Sequence, residues 1–471
     1  MLINFSFCNF MSYGDAQQFS MLRPVSAQRH EQRAWLCPDV STVAGIYGGN
    51  AAGKSALFKA LRFVTELVIG AFNQRVTLED TFSPFKLDSV SRNKPSDFLI
   101  DFVAPDDKRY LYELSVDDIR IEYESLRVYN DNRTSRLFER EFEGDAYSYR
   151  YGRNFRGSRK TYENMTRPGV PYLSVLYAAN VAAVDGAYKF FATRMGFYEA
   201  ELFGMEFDNI LRELKKDTPF AHSLTSLMAR ADLGISLVET RNFLDDLRDA
   251  SKRPGSPQEG GYEELASGLL AVANPGLSKE ERHKQAKDMA GNTEPHYSLS
   301  FTHRGANGFT ERFGKEEESR GTLAVLAFFS LALRLLSQRS VGFVDEIDSS
   351  LHPAYVQELV ELFKDPRTNP HQSQLIFTTH DVSLITRSGA DERVLDQDQI
   401  WLVEKAGDGR STLYPLTAVR TRWDENFGRN YLHGVYGASP RPEFREAFAD
   451  ALGQLETAGD VYTAERFGGE E

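Results

Sequence analysis

An α/β fold around a central mixed sheet is predicted by three places where an apolar run stops at residues that carry chemistry. Residues 42–47 (TVAGIY) break into GGNAAGKS at 48–55, then into a helical pattern with Leu57, Leu61, Val64 and Val68 on one face. The run 341–344 (VGFV) ends in Asp345 and Glu346, and the run 375–378 (LIFT) ends in Thr379, His380 and Asp381. Strand, glycine-rich loop and helix in succession are the context that a phosphate-binding loop requires.

The elements follow in order. Residues 1–70 hold two strand-like runs, the loop and its helix. Between about 97 and 130 the pattern has period two: Phe98, Ile100 and Phe102, then Tyr110, Tyr112, Leu114 and Val116, then Ile121 and Tyr123. That alternation predicts an antiparallel meander. Residues 172–177 read as another buried strand. From about 185 to 290 the pattern is helical, broken by Pro and Gly at 254–261 and 275–276, with 251–261 (SKRPGSPQEGG) a loop. No heptad is sustained, so a long coiled coil is not expected. Two short strands near 296–313 precede Gly321 and an apolar helix over 322–336. A hairpin near 399–416 and a polar acidic tail close the chain. The expected divisions are 1–180, a first half of a nucleotide-binding head; 181–294, a helical insertion; 295–440, the second half; and 441–471, the tail.

Bulk properties narrow the function. The 471 residues are 41% hydrophobic and 26% charged, as in soluble globular proteins, with a net charge of −13. An acidic chain is a poor general ligand for nucleic acid, so any such contact needs a local basic patch. The one candidate is 146–161, where Arg150, Arg153, Arg156, Arg159 and Lys160 stand among aromatics with no acid between them. The two cysteines, Cys8 and Cys37, have no metal-type spacing and suit a reducing cytoplasm. The N-terminus lacks a basic region and cleavage site and reads as a first strand. No run of 18 apolar residues predicts a membrane span.

The motifs name a ligand. In Gly48, Gly49, Asn50, Ala51, Ala52, Gly53, Lys54 and Ser55 the glycines let backbone N–H groups close around phosphates. Lys54 neutralises charge, Ser55 supplies a hydroxyl for Mg²⁺, and the helix N-terminus adds its dipole. Asp345 is placed to hold Mg²⁺ and Glu346 to polarise an attacking water. His380, one residue beyond its strand, is placed to reach a γ-phosphate. Ser319, Arg320 and Gly321 open the apolar helix, where Ser is an ordinary cap but can also face an anion. ATP and Mg²⁺ are the expected substrate and metal.

In order, the chain carries GGNAAGKS, ESRGT, FVDEIDSSLHP and FTTHD, then DQIWLVEK and YLHGVYGASP. This series resembles the AbiLii/RloA-type AAA ATPases, relatives of OLD, SMC and RecF ATPases and the group of the PARIS defence ATPase AriA. The resemblance covers most of 1–180 and 295–440. It implies an ABC/SMC-like head with an antiparallel lobe and a helical insertion. It also implies that Ser319, Arg320 and Gly321 form a signature acting on ATP held by another subunit. Asp348, Ser349 and Ser350 would form the D-loop, and His380 the switch histidine. The signature departs from the transporter LSGGQ, and no glutamine stands near Ala178–Asn180, where the coupling loop is expected.

The resulting expectation is an ATP-driven switch of bacterial antiphage defence. It would work as a homodimer or a ring of dimers, with a phage-derived trigger. It would control a separate effector, typically a TOPRIM-type or other nuclease, because the stretch after the hairpin is short for a further catalytic domain. The alternative is a RecF/SMC-like DNA-maintenance ATPase using the basic stretch; acidic charge and missing coiled coils weigh against it. A transporter subunit is disfavoured by the long separation of Ser55 from Ser319, and an inert scaffold by the presence of Lys54, Asp345, Glu346 and His380.

Overall fold

The computed structural model describes residues 1–24, 39–130, 133–153, 155–199, 203–231, 233–242, 267, 270–271, 277–291, 297–387, 393–422, 425–439 and 444–457. The N-terminal strands β1 (Leu2–Cys8) and β2 (Gln17–Ser20) belong to a lobe, whereas β3 (Val43–Gly48) enters a second sheet. The lobe continues through β4 (Ser96–Val103), β5 (Arg109–Val116), β6 (Ile121–Asn130), β7 (Arg133–Glu143) and β8 (Ala146–Tyr151). Its seven antiparallel strands run in the order β2-β1-β4-β5-β6-β7-β8. The alternation predicted for 97–130 is real: in β5, Tyr110, Tyr112, Leu114 and Val116 are all buried. That face covers α1 (Lys54–Gly70), where Phe63 meets Phe98 with ring centroids 5.5 Å apart.

A short helix α2 (Arg159–Met165) leads to α3 (Tyr172–Ala178) and α4 (Asp185–Arg194). The strand expected at 172–177 is therefore a helix. The apolar run cannot by itself distinguish the two; a distant group decides. Buried Glu124, on β6, accepts the N–H groups of Tyr172 (2.7 Å) and Leu173 (3.0 Å), satisfying two donors that a helix start leaves open. The Ser174 hydroxyl then donates to the Val68 carbonyl of α1.

The stretch 181–294 is not purely helical. It holds α5 (Phe203–Lys215), α6 (Pro219–Met228) and α7 (Lys279–Gly291), but also β9 (Met195–Tyr198) and β10 (Ile235–Asn242). The loop expected at 251–261 lies outside the described residues. β10 pairs with β11 (Tyr297–Arg304), and β11 with β12 (Thr310–Gly314), in a three-stranded antiparallel sheet. This arm packs through α5 and α6 on α8 (Arg320–Leu336), where buried Glu206 accepts from Ser330 at 2.5 Å.

The second sheet adds β13 (Val341–Val344), β14 (Gln374–Thr378), β15 (Ile400–Lys405) and β16 (Ser411–Pro415). Its order is β16-β15-β3-β14-β13-β9, so β9 belongs to the head even though it lies in the stretch read as the insertion. β3, β13 and β14 are buried along their whole length, as expected of parallel strands covered on both faces. Helices α9 (Pro353–Lys364) and α10 (Phe427–Leu432) complete the head. The tail is not simply polar. It contains α11 (Arg445–Thr457), which carries exposed Phe448, Leu452 and Leu455.

Candidate nucleotide site

Strands β15, β3, β14, β13 and β9 are neighbours and all parallel, so their C-terminal ends lie along one edge. Ligands of open α/β sheets bind beyond such ends. Each strand delivers a polar group there: Lys405 at the end of β15, the loop 48–55 from β3, His380 after β14, Asp345 and Glu346 after β13, and Glu199 after β9.

The loop is tied down from several sides. A Cβ at Gly48 would stand 2.5 Å from the Val403 carbonyl, so the loop can leave the sheet only through glycine. Gly53 has φ +117°, and a Cβ there would sit 2.5 Å from Ser411 Oγ. Ser411 donates to the Ala52 carbonyl at 2.6 Å, the Tyr13 hydroxyl to the Gly53 carbonyl at 3.0 Å, and Lys405 to the Ala51 carbonyl at 3.3 Å. Helix α1 has no acid in its first turn, which leaves its positive end for an anion.

Lys54 is buried, with Nζ donating to the Gly48 carbonyl (2.8 Å) and the Gly49 carbonyl (3.2 Å). It also lies 3.0 Å from Nε2 of His380. An ammonium has only donors, so Nε2 accepts and the neutral ring carries its proton on Nδ1. Desolvation lowers the Lys54 pKa against the opposing charges of Asp345, Glu346 and Asp348. Desolvation and the Lys54 charge together hold His380 below its ordinary 6.5.

Thr378 organises the acidic turn. Its hydroxyl donates to Asp345 at 2.6 Å and accepts the Glu346 N–H at 2.7 Å. Glu346 is exposed and sits at φ +52°, an uncommon conformation for a residue with a side chain. The Glu346 carbonyl accepts the Ser349 N–H at 2.8 Å, and Asp348 accepts the His380 N–H at 3.3 Å. Ser350 ends the turn at φ +66°. Among the described residues, no three His, Cys, Asp or Glu side chains form a metal-holding group. Ser55 and Asp345 are hard oxygen donors, a partial set of the kind Mg²⁺ accepts when phosphate oxygens and water complete its shell.

Ser319 caps α8, accepting the Thr322 N–H at 3.0 Å. Glu318 before it bonds His303 of β11 at 2.6 Å, which anchors the segment to the arm. A Cβ on Gly321 would meet nothing nearer than the Ser350 carbonyl at 3.5 Å, an ordinary contact. Residues 319–321 and the turn 348–350 are thus neighbours within the chain, and among the described residues nothing demands a glycine at 321.

The basic stretch is not one patch. Arg150 faces three acids across the strand pair, Glu139 at 2.8 Å, Glu143 at 3.4 Å and Glu141 at 3.7 Å. Arg159 lies over the Tyr151 ring at 4.8 Å from its centroid, and Lys160 pairs with Glu163 at 3.4 Å. Arg153 and Arg156 are exposed.

Three residues of the site escaped sequence reasoning. Thr378 is one. Glu199 is the second: residues 178–180, where the resemblance places a coupling loop, close α3, whereas Glu199 follows β9, the strand beside β13, and pairs with Arg62 at 3.0 Å. Tyr431 of α10 is the third. Its ring stands edge-on to Tyr47 of β3, with centroids 5.7 Å apart, just before the phosphate loop, and burial pushes its pKa up to about 12. Only the distance along the chain concealed them.

The family model described as "AAA domain, putative AbiEii toxin, Type IV TA system" matches residues 43–386, from the strand before the phosphate loop to just past His380. The chain belongs to this AAA family. No curated protein matches it. Among solved structures it is similar to the Smc head domain with an extended coiled coil from Pyrococcus furiosus, at 15% identity over 92% of this chain and 99% of that one, TM-score 0.34. It is also similar to the recombination mediator RecF with ATP, at 13% identity over 88% of this chain and 97% of that one, TM-score 0.32. At such scores the superposition is too loose to transfer any residue. The α/β fold class expected from the sequence, with a central mixed sheet and an antiparallel lobe, holds, and the matching family is that of an AAA domain. Among the described residues, no helix is long and apolar enough to cross a membrane.

Proposed function

We propose that this AAA family member binds and hydrolyses ATP as the switch of a bacterial antiphage defence system, controlling a separate effector of nuclease type. The observation that carries the ATPase reading is the convergence of Lys54, Asp345, Glu346 and His380 at the ends of three adjacent parallel strands. Lys54 would leave its carbonyl partners for the β- and γ-phosphates. Ser55 and Asp345 would hold Mg²⁺, which supplies charge neutralisation at the phosphates. Glu346 would orient the attacking water, and His380 would meet the γ-phosphate. The signature Ser319-Arg320-Gly321 would close on nucleotide held by a second subunit, within a dimer or a ring of dimers. The defence role is supported by the motif series and by membership of a toxin–antitoxin-type AAA family. The DNA-maintenance reading is weakened by the engagement of Arg150, Arg159 and Lys160 with groups of their own lobe.

Lys54→Ala is expected to abolish ATP binding, measured by titration calorimetry. Glu346→Gln is expected to bind ATP and not turn it over. Equal turnover in wild type and Glu346→Gln would remove Glu346 from the chemistry. Expressed with its neighbouring genes, the wild type should reduce phage plaques, and both variants should lose protection. Full protection by both would defeat the switch.

A further inference from the structure

We propose that α11 is a self-pairing helix: the face carrying Phe444, Phe448, Leu452 and Leu455 docks antiparallel on the same face of a second copy of this chain. These side chains are 63%, 63%, 56% and 44% exposed. Helical bonding starts at Phe444, whose carbonyl accepts the Phe448 N–H at 2.9 Å. Steps of four, four and three residues place all four on one stripe about 80° wide. The rings of Phe444 and Phe448 already lie edge to face along it, with centroids 6.1 Å apart. Glu446 and Asp450 fall on the opposite side of the helix.

The stripe is complementary to itself. A two-fold axis beside residue 450 sets Phe448 against Leu452 of the second copy, and Phe444 against Leu455. Every large ring then faces a smaller side chain, and Ala451 near the axis lets the backbones approach. Charge selects the same direction. Arg445 stands in the first turn of its own helix, where a cation is disfavoured, but antiparallel pairing brings it to the negative C-terminal end of the other helix. Parallel pairing would set Arg445 beside Arg445. Four side chains from each copy cover less than the roughly 1,200 Å² of a standard interface. The pairing is therefore weak, concentration-dependent and open to disruption by one charge. It needs no nucleotide and stands apart from the switch reading.

The test is sedimentation of the full chain without nucleotide over a micromolar concentration series. Wild type and Lys54→Ala should both shift from monomer to dimer as concentration rises, whereas Phe448→Glu and Leu452→Glu should stay monomeric with unchanged thermal melting, since both positions are exposed. For direction, Ala451→Cys should cross-link to itself under mild oxidation. Phe444→Cys should not, because antiparallel helices hold those positions about 18 Å apart. Wild type, with only Cys8 and Cys37, is the background. A monomeric wild type at every concentration, a Phe448→Glu protein that still dimerises, or equal cross-linking at 444 and 451 would overturn the pairing.

Discussion

Thr378 shows how one hydroxyl sets a site. It is fully buried, donates to Asp345 and accepts from Glu346, whose backbone it holds at positive φ. Thr378→Val keeps the shape and removes both bonds, leaving a carboxylate and an N–H without that partner. Loss of such a bond to a charged group costs about 1.5–3 kcal/mol. ATP turnover should fall by roughly one to two orders of magnitude while ATP binding, set by the loop, changes little. Thr378→Ser should recover most of the rate, and a valine variant with wild-type turnover would refute the role. His380 gives a pH prediction. Its folded pKa is lowered, so between that value and 6.5 the unfolded chain binds the proton more readily. Its contribution to stability is present above 6.5 and lost as pH falls through the folded pKa. His380→Asn should flatten the melting temperature against pH in that acidic window, and an unchanged slope would show that other groups set it. The residues that sequence reveals here, Lys54, Asp345, Glu346 and His380, each stand beside their own strand end. Thr378, Glu199 and Tyr431 act through partners far along the chain, and no local pattern marks them.

Elements show the same division. The strands 341–344 and 375–378 and the helix after Gly321 were legible because pattern and punctuation agree: an apolar run, then Asp-Glu, Thr-His or a Ser cap. Helix α3 was misread because its start depends on Glu124, some fifty residues earlier. That carboxylate also takes the Tyr112 hydroxyl at 3.0 Å and the Arg140 guanidinium at 2.9 Å, with both charged side chains fully buried. The pair joins β6 to β7 beneath α3. Removing one member of a buried pair leaves the other charge uncompensated, at about 3–5 kcal/mol. Glu124→Ala should lower the denaturant midpoint accordingly and loosen α3 against α1. A midpoint within error of wild type would mean that Arg140 finds another partner. On the neighbouring edge, Arg150 is bound by three acids, so Arg150→Gln should leave any salt dependence of nucleic-acid binding unchanged. Arg153→Gln and Arg156→Gln should each reduce the slope by about one unit if the lobe touches phosphates. A flat wild-type slope would make the stretch a structural edge.

At the scale of the molecule, the segment 319–321 has a feature that no described residue of the single chain explains. Gly321 stands at the second position of α8 with ordinary space where a Cβ would go, and the Ser350 carbonyl is the nearest atom to that position. A glutamate there clashes with nothing at Cβ and lies at a helix N-terminus, where a carboxylate is favoured. Gly321→Glu should therefore fold with unchanged or slightly higher stability. If the segment closes on the phosphates of another subunit, the same carboxylate repels them and turnover should be lost. Lys54→Ala should also be inactive, for a different reason at the other half of each site. In a two-fold assembly, a Lys54→Ala chain paired with a Gly321→Glu chain rebuilds one intact site, a wild-type loop facing a wild-type signature, and places both defects in the second. Mixing the two inactive proteins in equal amounts should restore about a quarter of the wild-type rate, since half of the dimers are mixed and each has one working site. Restoration should follow the rate of subunit exchange. If the mixture stays inactive although mass spectrometry detects mixed dimers, signature and loop act within one chain, and the assembly serves some end other than closing the nucleotide site.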